Sequence, residues 1–289
     1  MFGLIDLYKP SGCTSRDCVN AVSRNLGTRS VGHAGTLDPI AEGVLVVAVG
    51  AATRLVEYVQ QQPKSYRGRF RLGLDSPSSD TETEPIACGI DIEPSRETLD
   101  AACSQFVGRI TQTPPVYSAV KIGGKAAYAL ARRGEAVEMP SREVEVFSCE
   151  LTWYEFPDFE LSIHCGSGTY VRSIGRDLAR SLGTSAIMTS LVRTAVGVFT
   201  AEDAVPLERF HQPLPQLDCL RPAGDAVGHL HRIAVTAEQA KRLMHGQRVE
   251  LSDYAEVDVA AAFDESHRLV GLIERREGCW KSLKNFPSA

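Results

Sequence analysis

Apolar and polar residues along this chain fall into segments of period two and segments of helical period. Residues 44–50, VLVVAVG, are an uninterrupted apolar run and predict a strand buried on both faces. Residues 64–72 alternate strictly. Tyr66, Gly68, Phe70 and Leu72 point one way, and Ser65, Arg67, Arg69 and Arg71 point the other, which predicts a strand with an apolar face and an arginine face. A looser alternation over residues 2–8, ending at Lys9-Pro10, predicts a first strand. Residues 142–154 and 158–165 alternate as two further strands, paired as a hairpin. The helical period appears between them. Cys18, Val19, Val22 and Leu26 follow a Thr14/Asp17 capping box and stop at Gly27. Helices are likewise predicted over residues 51–62, ended by Pro63; over 95–108, with Leu99, Ala102, Cys103 and Phe106 inward; and over 174–182, closed by Gly183. Residues 187–199 end the large domain.

The fold class read from this pattern is α+β, with a mixed sheet flanked by helices and a small β-rich C-terminal module. Residues 1–210 form the large domain and 211–232, rich in Pro, Gly and His, a linker. Residues 233–289 form the module. In it a Thr236/Gln239 capping box starts a helix through Met244, stopped by Gly246, and short strands follow at 257–263, 269–274 and 279–286. A core this small is marginal alone, at roughly 60–70 residues.

Composition narrows the function classes. The 289 residues are 43% hydrophobic, enough for a sizeable core, and no run approaches the roughly 18 apolar residues of a membrane span. MFGLIDLYKPSG has neither a basic start nor a long apolar segment, so a cytoplasmic protein is expected. None of the eight cysteines forms a CxxC pair and no Cys/His cluster has zinc-ligand spacing, so reduced thiols and no metal are expected. The net charge of −5 disfavours a generic nucleic-acid binder; RNA binding requires basic residues gathered on one surface. With no apolar patch left over, a monomer is expected.

The candidate chemistry centres on residues 32–45, GHAGTLDPIAEGVL, where three glycines and Pro39 frame Asp38. Local spacing leaves Asp38 two roles: Asp before Pro is a common helix cap, and a carboxylate in a glycine-rich turn beside a buried strand is a common site residue. Tyr66 fits core packing as readily as a site. Lys9 fits a solvated strand end, His33 a turn bonded to backbone, and Leu191 the core. The three arginines suit a phosphate backbone or a solvated edge.

The whole string resembles the GHxGTLDPxAxGVL signature of the TruB family of tRNA pseudouridine-55 synthases. Four further strings resemble that family: KPSGCTS, with Lys9; residues 113–135, TPPVYSAVKIGGKAAYALARRGE; CGSGTYVRSIGRDLA, with Tyr170 and Arg172; and SLVRTAVGVF, with Leu191 and Arg193. Tyr8 replaces the usual Asp before Lys9. Pro77 replaces the first acid of the TDTxD string in DSPSSDTETE, where Asp80 is kept. The resemblance implies a pseudouridine-synthase-like fold with a PUA-like C-terminal module. It implies a catalytic Asp38 paired with Arg172, Tyr66 as an active-site ring, and His33 filling the gap left by an extruded base. Lys9, Tyr170, Leu191 and Arg193 are implied near the substrate, and residues 113–142 as an RNA-gripping insertion. The implied substrate is uridine 55 in the TΨC loop of tRNA. Alternatives are a non-catalytic tRNA-binding module and a guide-RNA-dependent relative.

Pseudouridine formation breaks the C1′–N1 bond of uridine and joins C1′ to C5 of the same ring. Nothing is oxidised and no outside group is transferred, so no cofactor is expected. Asp38 suffices as nucleophile at C1′, as nucleophile at C6, or as a base on the sugar. Arg172 beside it is expected to lower its pKa.

Overall fold

The strand Glu42–Val49 is buried from both sides because two layers meet on it. Val44 and Val46 face a cluster with Leu4, Phe199, Phe263 and Phe286, while Leu45, Val47 and Val49 face Cys18, Ala21 and Val22 of the helix Ser15–Asn25. The computed structural model describes residues 2–90, 93–211, 218–251 and 257–286. Among them the main sheet runs in the order Val205–Pro206, Gly3–Lys9, Glu42–Val49, Ala186–Val196, Lys64–Leu72, Asp158–Cys165, Arg142–Glu155, Gly108–Gln112. Val31–His33 and Phe199–Thr200 join at its centre. Pairing is antiparallel except where Gly3–Lys9 meets Val205–Pro206 and where Ala186–Val196 meets Glu42–Val49, so the sheet is mixed.

The helix Val171–Ser181 lies flat on the far half of the sheet. Gly175 allows this: a Cβ there would sit 2.1 Å from the Phe70 ring. The helix Arg96–Cys103 packs beside it, contributing Leu99, Ala102 and Cys103 to the same cluster as Phe70, Phe159, Ile174 and Leu178.

The C-terminal sheet runs His231–Ala234, Val259–Phe263, Leu269–Arg276, Cys279–Asn285, with the helix Ala237–Met244 capped by the Thr236/Gln239 box. It rests on the large domain. Phe263, Leu272 and Phe286 share a core cluster with Leu4 and Val44, and Arg54 donates to the Asn285 carbonyl.

Several expectations are corrected. Residues 51–62 start as a 3-10 turn, Gly50–Leu55, and only Val56–Gln61 is α-helical. The expected linker is partly packed structure. Ala223–Val227 is a 3-10 turn with Ala226 and Val227 buried, Arg221 exchanges backbone hydrogen bonds with Leu4, and His231–Ala234 is a strand. Residues 212–217 of that stretch lie outside the described residues. The arginine face is laced to its neighbouring strand: Arg69 bonds Glu160 at 2.9 Å and Arg71 bonds Asp158 at 2.7 Å. Those two arginines are charge-compensated across the strands and offer no bare positive strip to a phosphate backbone.

Candidate active site

Asp38 follows the short strand Val31–His33 and precedes Glu42–Val49, in a turn closed by the Ala41 N–H donating to the Asp38 carbonyl at 3.0 Å. No helix begins there, so the capping role is corrected. Another segment shapes the turn. Ser15 Oγ donates to the Leu37 carbonyl, the Gly12 N–H to Pro39, Ser11 Oγ to Ile40, and Lys9 Nζ to Ala41 at 2.6 Å. Lys9 is completely buried and also donates to the Pro10 carbonyl, so its ammonium braces the turn and does not reach solvent. Gly43 fixes the next step of the chain. Its φ is +103°, and a Cβ would lie 2.2 Å from the Arg193 carbonyl oxygen of the adjacent strand.

Arg172 occupies the first turn of the helix Val171–Ser181 and is buried. Its guanidinium reaches four acceptors. One terminal nitrogen lies 3.0 Å from Asp38 Oδ2 and donates to the Tyr117 carbonyl; the other donates to Asp80 Oδ2 at 3.0 Å and to the Ser78 carbonyl. Asp80 is thus a site residue that sequence reading did not single out. Its signal was retention of one acid in a string whose first acid is Pro77.

Asp38, Tyr66, Tyr170, Arg172 and Leu191 line one cavity of about 170 Å³, joined by Thr36 and Ser118. Tyr66 lies in the strand Lys64–Leu72 opposite Arg193, and Leu191 opposite Gly68. Tyr170 precedes the helix; Gln112 holds its backbone N–H and carbonyl, and the Arg142 guanidinium lies 4.8 Å from its ring centre. Ser118 is buried, and its Oγ is sealed from solvent without a hydrogen-bond partner. Arg193 is buried behind the cavity, donating to the carbonyls of Val44 and Gly35. Lys9, His33 and Arg193 therefore stand outside this wall. His33 is half-buried, with Nδ1 unpartnered, and burial lowers its pKa so that the ring is neutral.

Electrostatics differ from expectation at Asp38. Burial pushes its carboxyl above the usual range; Arg172 and Lys9 pull it back, but the nearby acids Asp80 and Glu82 reinforce the rise. Burial outweighs the pull of Arg172, and the Asp80 charge on the same guanidinium adds to the rise. The carboxylate remains reachable, its side chain 36% exposed beside an Arg172 only 4% exposed. Tyr66 also rises through burial, so its phenol stays protonated.

The insertion touches this site from one side. Its glycines 123 and 124 turn a small hairpin, Lys121–Ile122 with Lys125–Ala126, which leads into the short helix Ala127–Ala131. Arg132 pairs with Glu82 near Asp80. Among the described residues, no group of three or more His, Cys, Asp or Glu is placed to hold a metal ion, and no helix is long and apolar enough to cross a membrane.

Residues 23–171 match the TruB family pseudouridylate synthase N-terminal domain, and residues 230–287 the C-terminal domain described as tRNA pseudouridine synthase II. A protein of Trichormus variabilis named tRNA pseudouridine synthase B is 39% identical over 286 residues, covering 96% of each chain. Its namesake in Streptococcus pneumoniae is 37% identical, covering 99% of this chain and 100% of its own. Among solved structures, a chain of a Cbf5-Nop10-Gar1 complex matches with a TM-score of 0.73 at 25% identity, over 94% of this chain and 78% of its own. A chain of an H/ACA ribonucleoprotein, at 22% identity and a TM-score of 0.76 over 99% of this chain and 86% of its own, shares the fold. By the length of the matched domain and by these full-length relatives, the chain belongs to the TruB family of pseudouridylate synthases.

Proposed function

We propose that this enzyme isomerises uridine 55 in the TΨC loop of tRNA. The single observation that carries the reading is the contact of a reachable Asp38 with a buried Arg172 on the wall of a cavity that Tyr66 also lines. The names of the full-length relatives support tRNA as the substrate class, in preference to a guide-RNA-dependent role.

In this reading the base is turned out of the loop, at a cost of a few kcal/mol in lost stacking, because a stacked uridine does not reach Asp38. The Tyr66 ring packs on the uracil, and Leu191 supplies an apolar floor. Asp38 acts as nucleophile or base once ionised. Arg172 stabilises that charge and holds the carboxylate in one direction. The neutral, half-buried His33 sits on the strand leading into the Asp38 turn and props the space the base has left. Lys9 and Arg193 act from behind: one braces the turn, the other fixes Gly35 and Val44 around it. The insertion over residues 113–142 grips the RNA with Lys121, Lys125 and Arg133. Residues 1–210 carry the chemistry and 233–289 a PUA-like module, and the enzyme works as a cytoplasmic monomer.

The test is Asp38→Asn assayed by tritium release from C5-labelled tRNA, with tRNA binding measured in parallel. Release is expected to fall by about 10²–10⁴-fold with binding kept, the range a positioned acid or base contributes. Unchanged release, or binding lost in step with it, overturns the reading.

A further inference from the structure

Cys13 and Cys18 bring their sulfurs to 3.9 Å in a thiol–thiol contact, and Cys13 Sγ also contacts the Pro10 carbonyl at 3.4 Å. Cys13 is partly buried and Cys18 fully buried, so Cys13 is the nearer of the two to solvent. Both lie within electrostatic reach of the Lys9 ammonium.

Their position gives the pair a consequence. Cys13 sits inside the segment that holds the Asp38 turn, between Gly12, which donates to Pro39, and Ser15, which donates to Leu37. It also immediately precedes Thr14, whose capping box with Asp17 fixes the start of the helix carrying Cys18. A disulfide needs its sulfurs about 2.05 Å apart, so closure shortens the present 3.9 Å contact by roughly 2 Å. The bonds from Lys9, Ser11, Gly12 and Ser15 tie the Cys13 segment to residues 37–41, so a backbone shift at Cys13 is felt there.

We propose that Cys13 and Cys18 form an oxidation site: a peroxide converts them to an intramolecular disulfide that misplaces Asp38 and lowers turnover. The step balances. The Cys13 thiol is oxidised by hydrogen peroxide to a sulfenic acid with release of one water. The Cys18 sulfur then displaces hydroxide from it, forming the S–S bond and releasing a second water. Two thiols and one peroxide become one disulfide and two waters, and a dithiol reductant reverses the change. The loss of turnover rests on the role proposed above for Asp38; the disulfide itself does not.

The experiment treats the reduced full chain with hydrogen peroxide, maps thiols by mass spectrometry, and measures pseudouridine formation on tRNA before and after dithiothreitol. Trypsin cuts after Arg16, between the two cysteines, so a linked pair of peptides is diagnostic. The expected result is that linked pair, a fall in turnover of about tenfold or more, and recovery on reduction, since displacements near 1 Å cost up to about 10²-fold. Cys13→Ser and Cys18→Ala are each expected to keep their turnover after the same treatment. No linked pair, a linked pair with unchanged turnover, or equal inactivation of Cys13→Ser each overturns the proposal. Inactivity of the reduced protein counts against the functional reading instead, and the peptide map still decides whether the disulfide forms.

Discussion

Asp38 and Asp80 hold the same guanidinium, each with an oxygen 3.0 Å from an Arg172 nitrogen. Asp80 is 1% exposed and Asp38 36%, so one carboxylate anchors the arginine from within while the other faces the cavity. Asp80 therefore positions Arg172, and through its charge it also raises the Asp38 pKa. Asp80→Asn keeps an oxygen for Arg172 and removes the charge. Turnover is expected to fall by about 10–100-fold because the arginine loses its charged anchor. The acid limb of the pH–rate profile is expected to move to lower pH, because a like charge near Asp38 is gone. A slower enzyme with an unmoved acid limb would reduce Asp80 to a packing role.

Arg172→Lys tests whether charge alone suffices. An ammonium is a point charge, while the guanidinium serves two carboxylates and the carbonyls of Ser78 and Tyr117 at once. A lysine satisfies at most part of that set, so turnover is expected to fall by about a hundredfold with tRNA affinity changed little. Measured single-turnover rates close to wild type would show that direction is unimportant and that charge is all Asp38 requires.

The strands and helices near the site were legible because their periods are clean. Residues 44–50 have no polar position, and residues 64–72 alternate without a break, so burial on two faces and on one face follow directly. The Asp38–Arg172 contact was legible through family resemblance alone, since 134 positions separate the two and no local rule joins them. Asp80 was not legible as a site residue. Its burial depends on where the helix Val171–Ser181 delivers Arg172, a tertiary fact. The direction at Asp38 was misread for the same reason: pairing with Arg172 was foreseen, but not that burial outweighs it or that Asp80 adds a like charge. The arginine face stayed open between a phosphate backbone and a solvated edge because the acids that decide it, Glu160 and Asp158, lie 91 and 87 positions away on another strand.

Lys9 is expected to matter for stability before chemistry. Its completely buried side chain donates from the ammonium to the Pro10 and Ala41 carbonyls. Lys9→Met keeps the packing and strands those acceptors, at an expected cost of about 2–4 kcal/mol. Urea unfolding reads the loss directly. Turnover should fall with it even where the protein remains folded, because the turn carrying Asp38 loses its brace. A variant as stable as the parent would return Lys9 to the solvated role its sequence position also allowed.

Asp6 offers a pH test at the seam between the first strand and the segment that leads to the C-terminal module. It is 2% exposed, its Oδ1 has no partner, and its Oδ2 accepts the Thr200 N–H at 3.1 Å. Arg221 approaches only to 3.8 Å and is already bonded to Asp225. Burial pushes the Asp6 carboxyl up to about 6, against an unfolded value near 3.9. The folded chain thus holds a proton that the unfolded chain has released across that window. Stability falls as pH rises through it, by an amount on the order of 2–3 kcal/mol. Asp6→Asn keeps the acceptor for Thr200 and carries no charge to bury. In urea melts the variant is expected to match the parent near pH 4 and to gain on it steadily toward about pH 7. If the parent instead gains on the variant with rising pH, Asp6 is held as a stabilised carboxylate and Arg221 is its true partner.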